Sequence, residues 1–393
     1  MAKRLALSGN EATAYAMRQI NPDVVAAYPI TPQTEMMHAF AQYVADGVVD
    51  TELVAVESEH SAMSACVGAS ASGARTMTAT SANGFALMWE IVYIAASSRL
   101  PICMALVNRA LSAPINIHCD HSDSMGGRDA GWIQLYCENS QEAYDLFALS
   151  PRLAEHPDVQ LPVMVCYDGF IISHTIEVVE VLEDKQIKDF VGPFKTRINL
   201  LDYKKPFTFG PLDFHDYYFE HKRQQLEAMK VAHQVIPQVF AEYEKLSGHK
   251  YGFYEGYHLE DAEVVLVILG STAGTAKVVV DELRAQGKKV GLLKLTVFRP
   301  FPVEELRIAL TGKNAVGVLD RSASFGSYGG PVFTELRSAL YGEPNMPNIR
   351  NYIYGLGGRD IGLSLIRRAF EETMEMAKSG KAVEEVGYLG VRE

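Results

Sequence analysis

Short, predominantly apolar runs recur along this chain, separated by segments with helical periodicity, and the pattern occurs twice. From Val24 the runs are VVAAY (24–28), LVAV (53–56), TMTAT (76–80), ICMALV (102–107) and LPVMVCY (161–167). Runs apolar on both faces fit parallel strands covered by helices on either side. Helices are expected between them at about 10–20, 33–45, 59–72, 84–98 and 140–156. A second alternation begins at Glu263. There VVLVILG (264–270), VGLLKLTV (290–297), AVGVLD (315–320) and IRNYIYG (349–355) read as strands, and STAGTAKVVVDELRAQG and VEELRIAL as helices. Such alternation builds doubly wound α/β domains. At 393 residues the chain exceeds what one core ordinarily holds. Two tandem α/β domains are therefore expected, residues 1–260 and 261–393. The stretch from about 185 to 260 breaks the rhythm, being rich in Phe, Tyr, Lys and Pro, with one long amphipathic helix near 218–246. It is expected to be a helical extension packed on the first domain.

Charge narrows the function. Acidic residues outnumber Lys and Arg by 48 to 36, a formal charge of −12, opposite to the usual balance of a nucleic-acid-binding domain. No apolar run approaches the ~20 residues of a membrane span. The start, MAKRLALSGNEATAY, lacks the apolar core and cleavage site of a secretory signal, so a cytoplasmic location is expected. The five cysteines, Cys66, Cys103, Cys119, Cys137 and Cys166, contain no C-x-x-C pair, so neither an iron–sulfur cluster nor a structural zinc is expected on this chain. Cys66, Cys103 and Cys166 lie in apolar runs and read as reduced core residues.

Open parallel sheets bind ligands at the carboxyl ends of their strands, and four successive strand ends here carry polar groups. Thr31, in AAYPITPQTE, is either the N-cap of the next helix, with Pro32 at the first helical position, or a hydroxyl aimed at a substrate carbonyl by its flanking prolines; the two are compatible. Glu59, two residues beyond Glu57 in VAVESEHSA, is either a first-turn carboxylate favoured by the helix dipole or a carboxylate that shares a proton with a buried base. Ser81 and Asn83, in TATSANGFALM, are turn and capping residues or short hydrogen-bonding groups for a cofactor. Arg109, in MALVNRALSAP, is a surface ion-pair partner or a planar fork for a substrate carboxylate.

The loop INIHCDHSDSMGGRDAGW gathers His118, Cys119, Asp120, His121 and Asp123. Its spacing fits no common metal site, and it reads as a structured loop at an active-site mouth or subunit contact. GSTAGT (270–275) and GLGGRD (355–360) suggest phosphate cradles but match no established phosphate motif. Their glycines read instead as strand-to-helix turns.

Taken together, GNEATAYAMRQINPDVVAAYPITPQTE, VESEHSAMSACVGASASGART, TATSANGFALM, NRALSAPINIHCDHSDSMGGRDAGW and YDGFIISHT resemble the α subunit of pyruvate:ferredoxin oxidoreductase. The second half, with LLKLTVFRPFPVEEL, is similar to the C-terminal domain of transketolase-like thiamine enzymes. The resemblance implies a pyrimidine-type thiamine-diphosphate-binding fold followed by a transketolase C-terminal-like domain. It implies that Thr31 faces the substrate beside the thiamine ring, that Glu59 hydrogen-bonds the aminopyrimidine and that Arg109 holds the 2-oxo acid carboxylate. Ser81 and Asn83 are candidate cofactor contacts. The family's G-D-G diphosphate motif is absent, since Asp46-Gly47 follows Ala45 and Asp168-Gly169 follows Tyr167. The diphosphate site, Mg²⁺ and [4Fe-4S] clusters are therefore expected on β, γ and δ subunits, with coenzyme A as co-substrate and ferredoxin as electron acceptor. Pyruvate is the expected substrate. A branched-chain 2-oxo acid, a cluster-free thiamine enzyme subunit and a non-catalytic scaffold are the alternatives.

Overall fold

The computed structural model describes residues 3–196, 198–381 and 384–392. Along the chain, β1 (Lys3–Leu7) leads to α1 (Gly9–Ile20), β2 (Val24–Ala27), α2 (Thr34–Ala45), β3 (Glu52–Ala55), α3 (Glu59–Ala71) and β4 (Thr76–Thr80). The helices α4 (Ala82–Leu87) and α5 (Trp89–Ser97), β5 (Cys103–Asn108), α6 (Ser122–Gly126), β6 (Ile133–Tyr136), α7 (Ser140–Ala154), β7 (Val163–Asp168) and β8 (Glu177–Val181) follow. The extension holds α8 (Asp184–Val191) and α9 (Tyr218–Ser247). Then come β9 (Tyr254–Tyr257), β10 (Val264–Ile268), α10 (Thr272–Ala285), β11 (Val290–Leu295), β12 (Val297–Arg299), α11 (Val303–Leu310) and β13 (Ala315–Asp320). The chain closes with α12 (Pro331–Leu340), β14 (Asn348–Tyr354), α13 (Leu363–Ser379) and β15 (Val386–Leu389).

The first sheet runs β12-β6-β7-β5-β4-β2-β3 and the second β15-β14-β13-β10-β11-β9. Each is parallel except at one edge, where β12 pairs antiparallel with β6 and β9 antiparallel with β11. β1 and β8 form a separate antiparallel pair. The chain reverses its winding between β2 and β4 in the first sheet and between β10 and β13 in the second. These are the switch points where open α/β sheets form ligand crevices. One apolar core crosses between the sheets, joining Ala26, Leu106, Tyr136 and Phe298 of the first to Val265, Leu293 and Val318 of the second. No described helix is long and apolar enough to cross a membrane.

Two expectations need correction. The run at 290–297 is not one strand: it leaves the second sheet at Thr296, whose carbonyl accepts the Tyr136 N–H, and Val297–Arg299 join the first sheet. Apolar content alone does not reveal which sheet a strand joins. The helix expected over 84–98 breaks at Met88 into α4 and α5.

Candidate functional site

Thr31 stands in the turn after β2, at the first sheet's switch point, and is exposed. It does not cap the next helix, which begins at Thr34 behind Gln33. Two neighbours pin the turn instead. Asn10 Nδ2 donates to Pro32 O at 2.8 Å, and Arg109 Nη1 donates to Thr31 O at 2.9 Å. Gly169 completes the seat, because a Cβ there would lie 2.7 Å from Pro32 Cγ and 2.5 Å from Asn108 O.

Arg109 follows β5 and is buried. Its Nε donates to Asn116 O at 2.9 Å, so with Thr31 O two carbonyls aim the guanidinium. Nη2 is taken by no described group, which leaves one edge of the planar cation for a ligand. Burial pulls its pKa down and the Asp123 carboxylate opposes that.

Glu59 opens α3, behind a Ser58 cap whose Oγ accepts the Ser61 N–H at 3.2 Å. Its side chain is buried, whereas Glu57 is exposed and accepts from Ser61 Oγ. No hydrogen bond or ion pair reaches the Glu59 carboxylate among the described residues. It lies over Gly84: a Cβ there would sit 2.6 Å from Glu59 Oε1 and 2.6 Å from Thr80 Oγ1. The Thr80 hydroxyl is itself fully buried without a partner. One buried orphan oxygen, on Thr80, and a carboxylate with no described partner, on Glu59, thus meet beside Gly84. Buried polar groups ordinarily find partners, so the orphaned Thr80 hydroxyl marks a place where a ligand supplies one. This cradle fits a heterocycle with hydrogen-bonding nitrogens, as thiamine's aminopyrimidine has.

Ser81 is fully buried, and its hydroxyl donates to Val107 O at 2.6 Å. Asn83 is exposed and its Oδ1 accepts the Ser112 N–H at 3.2 Å. The proton of one and the amide oxygen of the other are therefore engaged within the protein.

The His118–Asp123 loop joins the two sheets. Asp120 Oδ2 accepts the Gly357 N–H at 3.0 Å, and Asn116 Nδ2 donates to Gly357 O at 2.9 Å, so GLGGRD receives this loop. His121 Nε2 meets Asp168 Oδ1 at 2.8 Å. Asp168 Oδ2 also takes Arg321 Nη1 at 2.9 Å and the Ser271 N–H at 3.1 Å. Cys119, His121 and Asp168 place donor atoms within 4.8 Å of one another, but Arg321 already supplies that carboxylate with a cation. The cluster is an ion-paired junction between the two sheets. All five cysteines are free and buried, and burial pushes the Cys66 thiol up to about 12.

Sequence reading missed Thr80 and Asp123 as site-building groups. Asp123 lay among apparent metal ligands, while its partners include the Ala82 and Arg109 N–H groups beyond two strand ends, which spacing does not disclose.

Parallel sheets with polar groups at the strand ends of a switch point define an open α/β protein that binds its ligand at those strand ends. A family model described as pyruvate flavodoxin/ferredoxin oxidoreductase, thiamine diphosphate-binding, matches residues 15–241, and one described as pyruvate:ferredoxin oxidoreductase core domain II matches 262–366. The chain belongs to the pyruvate:ferredoxin oxidoreductase family. It is 59% identical to pyruvate synthase subunit PorA of Thermotoga maritima over 391 residues, covering 100% of this chain and 99% of that one. Against PorA of Pyrococcus abyssi it is 45% identical, covering 99% and 98%. Against ketoisovalerate oxidoreductase subunit VorA of Pyrococcus abyssi it is 43% identical, covering 98% and 97%. Among solved structures, 2-oxoglutarate:ferredoxin oxidoreductase from Magnetococcus marinus shares the fold with a TM-score of 0.74 at 21% identity, covering 95% of this chain and 66% of that chain.

Proposed function

We propose that the chain is the α subunit of a multi-subunit pyruvate:ferredoxin oxidoreductase. The reaction is reversible oxidative decarboxylation of pyruvate with coenzyme A and oxidised ferredoxin, giving acetyl-CoA, CO₂ and reduced ferredoxin. The observation that carries this reading is the 59% identity to a pyruvate synthase subunit along essentially the whole of both chains. The 43% identity to a ketoisovalerate oxidoreductase subunit supports a branched-chain 2-oxo acid as the second reading.

Thiamine diphosphate, when bound, supplies the nucleophilic carbon and the electron sink for decarboxylation. The chain's own groups orient and protonate. Glu59, with Gly84 beneath it and Thr80 beside it, holds a proton at an aminopyrimidine nitrogen. The free edge of Arg109 forks the substrate carboxylate, and the Thr31 hydroxyl faces the keto oxygen. Ser81 and Asn83 contribute by shaping the strand-end turn, and Ser81 keeps lone pairs to offer. The chain lacks the G-D-G motif, so the diphosphate, its Mg²⁺ and the [4Fe-4S] clusters belong to β, γ and δ subunits. The complex works in the cytoplasm beside ferredoxin.

The test is ferredoxin reduction by the complex purified anaerobically through this chain, with a panel of 2-oxo acids with and without coenzyme A. Reduction with pyruvate that needs coenzyme A is expected. Preference for 2-oxoisovalerate would move the assignment to the second reading, and no reduction with any 2-oxo acid would overturn both.

A further inference from the structure

Asp123 lies in α6 with 1% of its surface exposed. One oxygen, Oδ2, accepts the Ala82 N–H at 3.0 Å and the Arg109 N–H at 3.0 Å. The other, Oδ1, accepts Asn108 Nδ2 at 2.8 Å and the Ser124 N–H at 2.7 Å. The carboxylate therefore joins the residues that follow two adjacent strands. The ladder between β4 and β5 ends at Thr80 and Leu106. Beyond it no strand pairing fixes Arg109 relative to α4, which carries Gly84; the Ser81 hydroxyl on Val107 O is one tie across the gap and Asp123 Oδ2 is another.

Ala82 makes the bridge more telling. Its φ is +41°, a left-handed conformation that a residue with a Cβ adopts only under constraint. That strain brings its N–H to the same oxygen that holds Arg109. Burial pushes the Asp123 carboxyl up to about 6, against the pull of its four donors. A charge kept this deep needs a full set of partners, and here they are three main-chain N–H groups and the Asn108 side-chain amide.

We infer that Asp123 is a positioning residue for substrate binding, setting the Arg109 guanidinium at a fixed distance from the Glu59–Gly84 cradle. This rests on the proposed role of Arg109 as the carboxylate clamp. Displacing a positioned group by about 1 Å is enough to lose on the order of 100-fold in rate.

The test uses the assembled complex with Asp123→Asn, which turns an amide toward one pair of N–H donors. Asn108→Ala is the milder companion, removing one donor from Oδ1 while leaving both Oδ2 contacts. Expected for Asp123→Asn is a rise of roughly tenfold or more in KM for the 2-oxo acid, with KM for coenzyme A unchanged. Asn108→Ala should move the same constant by a few-fold. If both variants lose only melting temperature and keep the wild-type KM, the inference is overturned. Should Asp123→Asn fail to assemble, Asn108→Ala decides by the same criterion. Arg109→Ala, measured in parallel, separates the two readings: a wild-type KM there removes the clamp itself, whereas a raised KM beside unmoved Asp123 and Asn108 variants removes only this inference.

Discussion

The carboxylate of Asp168, at the end of the first sheet's β7, lies 2.9 Å from Arg321 Nη1, at the end of the second sheet's β13. Both groups are 1% exposed. Asp168 also receives the Ser271 N–H just ahead of α10. These second-sheet groups flank its switch point, between β10 and β13. The crevice where such a sheet would bind an anion is filled by a side chain from the other sheet. Gly270, at φ +74°, would place a Cβ 3.0 Å from Asp168 Oδ1. GSTAGT is thus an anion cradle whose anion is internal.

Removing that anion leaves a buried guanidinium uncompensated, a loss of about 3–5 kcal/mol. Asp168→Ala should accordingly lower the melting temperature strongly. Because Ser271 and Arg321 remain, acetate or formate should restore part of the loss in a concentration-dependent way, while chloride at equal ionic strength should not. Equal response to all three salts would argue against an internal anion site.

The same pair sets a pH signature. Burial alone would raise the Asp168 carboxyl, but His121, Arg321 and the Ser271 hydroxyl together hold it well below its usual value of 3.8. A carboxyl depressed in the folded state contributes stability that is complete above the unfolded pKa and is lost as pH falls through the folded one. The stability gap between wild type and Asp168→Asn should therefore stay level from about pH 7 to 5 and narrow only below about pH 4. Chemical denaturation at a series of pH values measures it, and a gap that closes by about pH 6 would contradict this account.

Much of this was legible in the chain and some was not, for reasons of distance. Thr31, Glu59, Ser81 and Arg109 stand out because strand ends are local features, read from an apolar run and the residue after it. Asp168 and Arg321 are 153 residues apart, and nothing local in either stretch names the other. Val297 continues the apolar run of β11, yet Val297–Arg299 pair in the other sheet. Thr80 reads as strand filler, and only the space over Gly84 shows that its hydroxyl borders the Glu59 carboxylate.

Gly84→Ala tests that space directly. A Cβ 2.6 Å from Glu59 Oε1 and from Thr80 Oγ1 is closer than side chains pack, so Glu59 must move. Turnover should fall on the order of 100-fold, with thiamine diphosphate bound more weakly and the subunits still assembled. Wild-type kinetics in a correctly assembled variant would mean the carboxylate does no work at that position.

Arg109→Lys keeps the charge but loses the planar fork and its Nε bond to Asn116 O. One or two charge-assisted hydrogen bonds to the substrate disappear, about 2–3 kcal/mol, which is on the order of 100-fold in KM for pyruvate. Steady-state kinetics across pyruvate concentrations would show it, with coenzyme A held saturating. A Lys variant with unchanged KM would leave Arg109 as an internal strut between Thr31 and Asn116.

Glu59→Gln removes a proton-sharing carboxylate while keeping its shape. The pocket already leaves this side chain without a protein partner, so the exchange breaks no described hydrogen bond, and melting temperature and assembly should hold. Turnover should fall on the order of 10³-fold, the scale of one acid–base group. Hydrogen–deuterium exchange at the reactive carbon of bound thiamine diphosphate reads the same step without the electron acceptor, and it should slow in parallel. Exchange at the wild-type rate with lost turnover would shift the role of Glu59 from proton transfer to a later step, and full turnover would remove Glu59 from the chemistry.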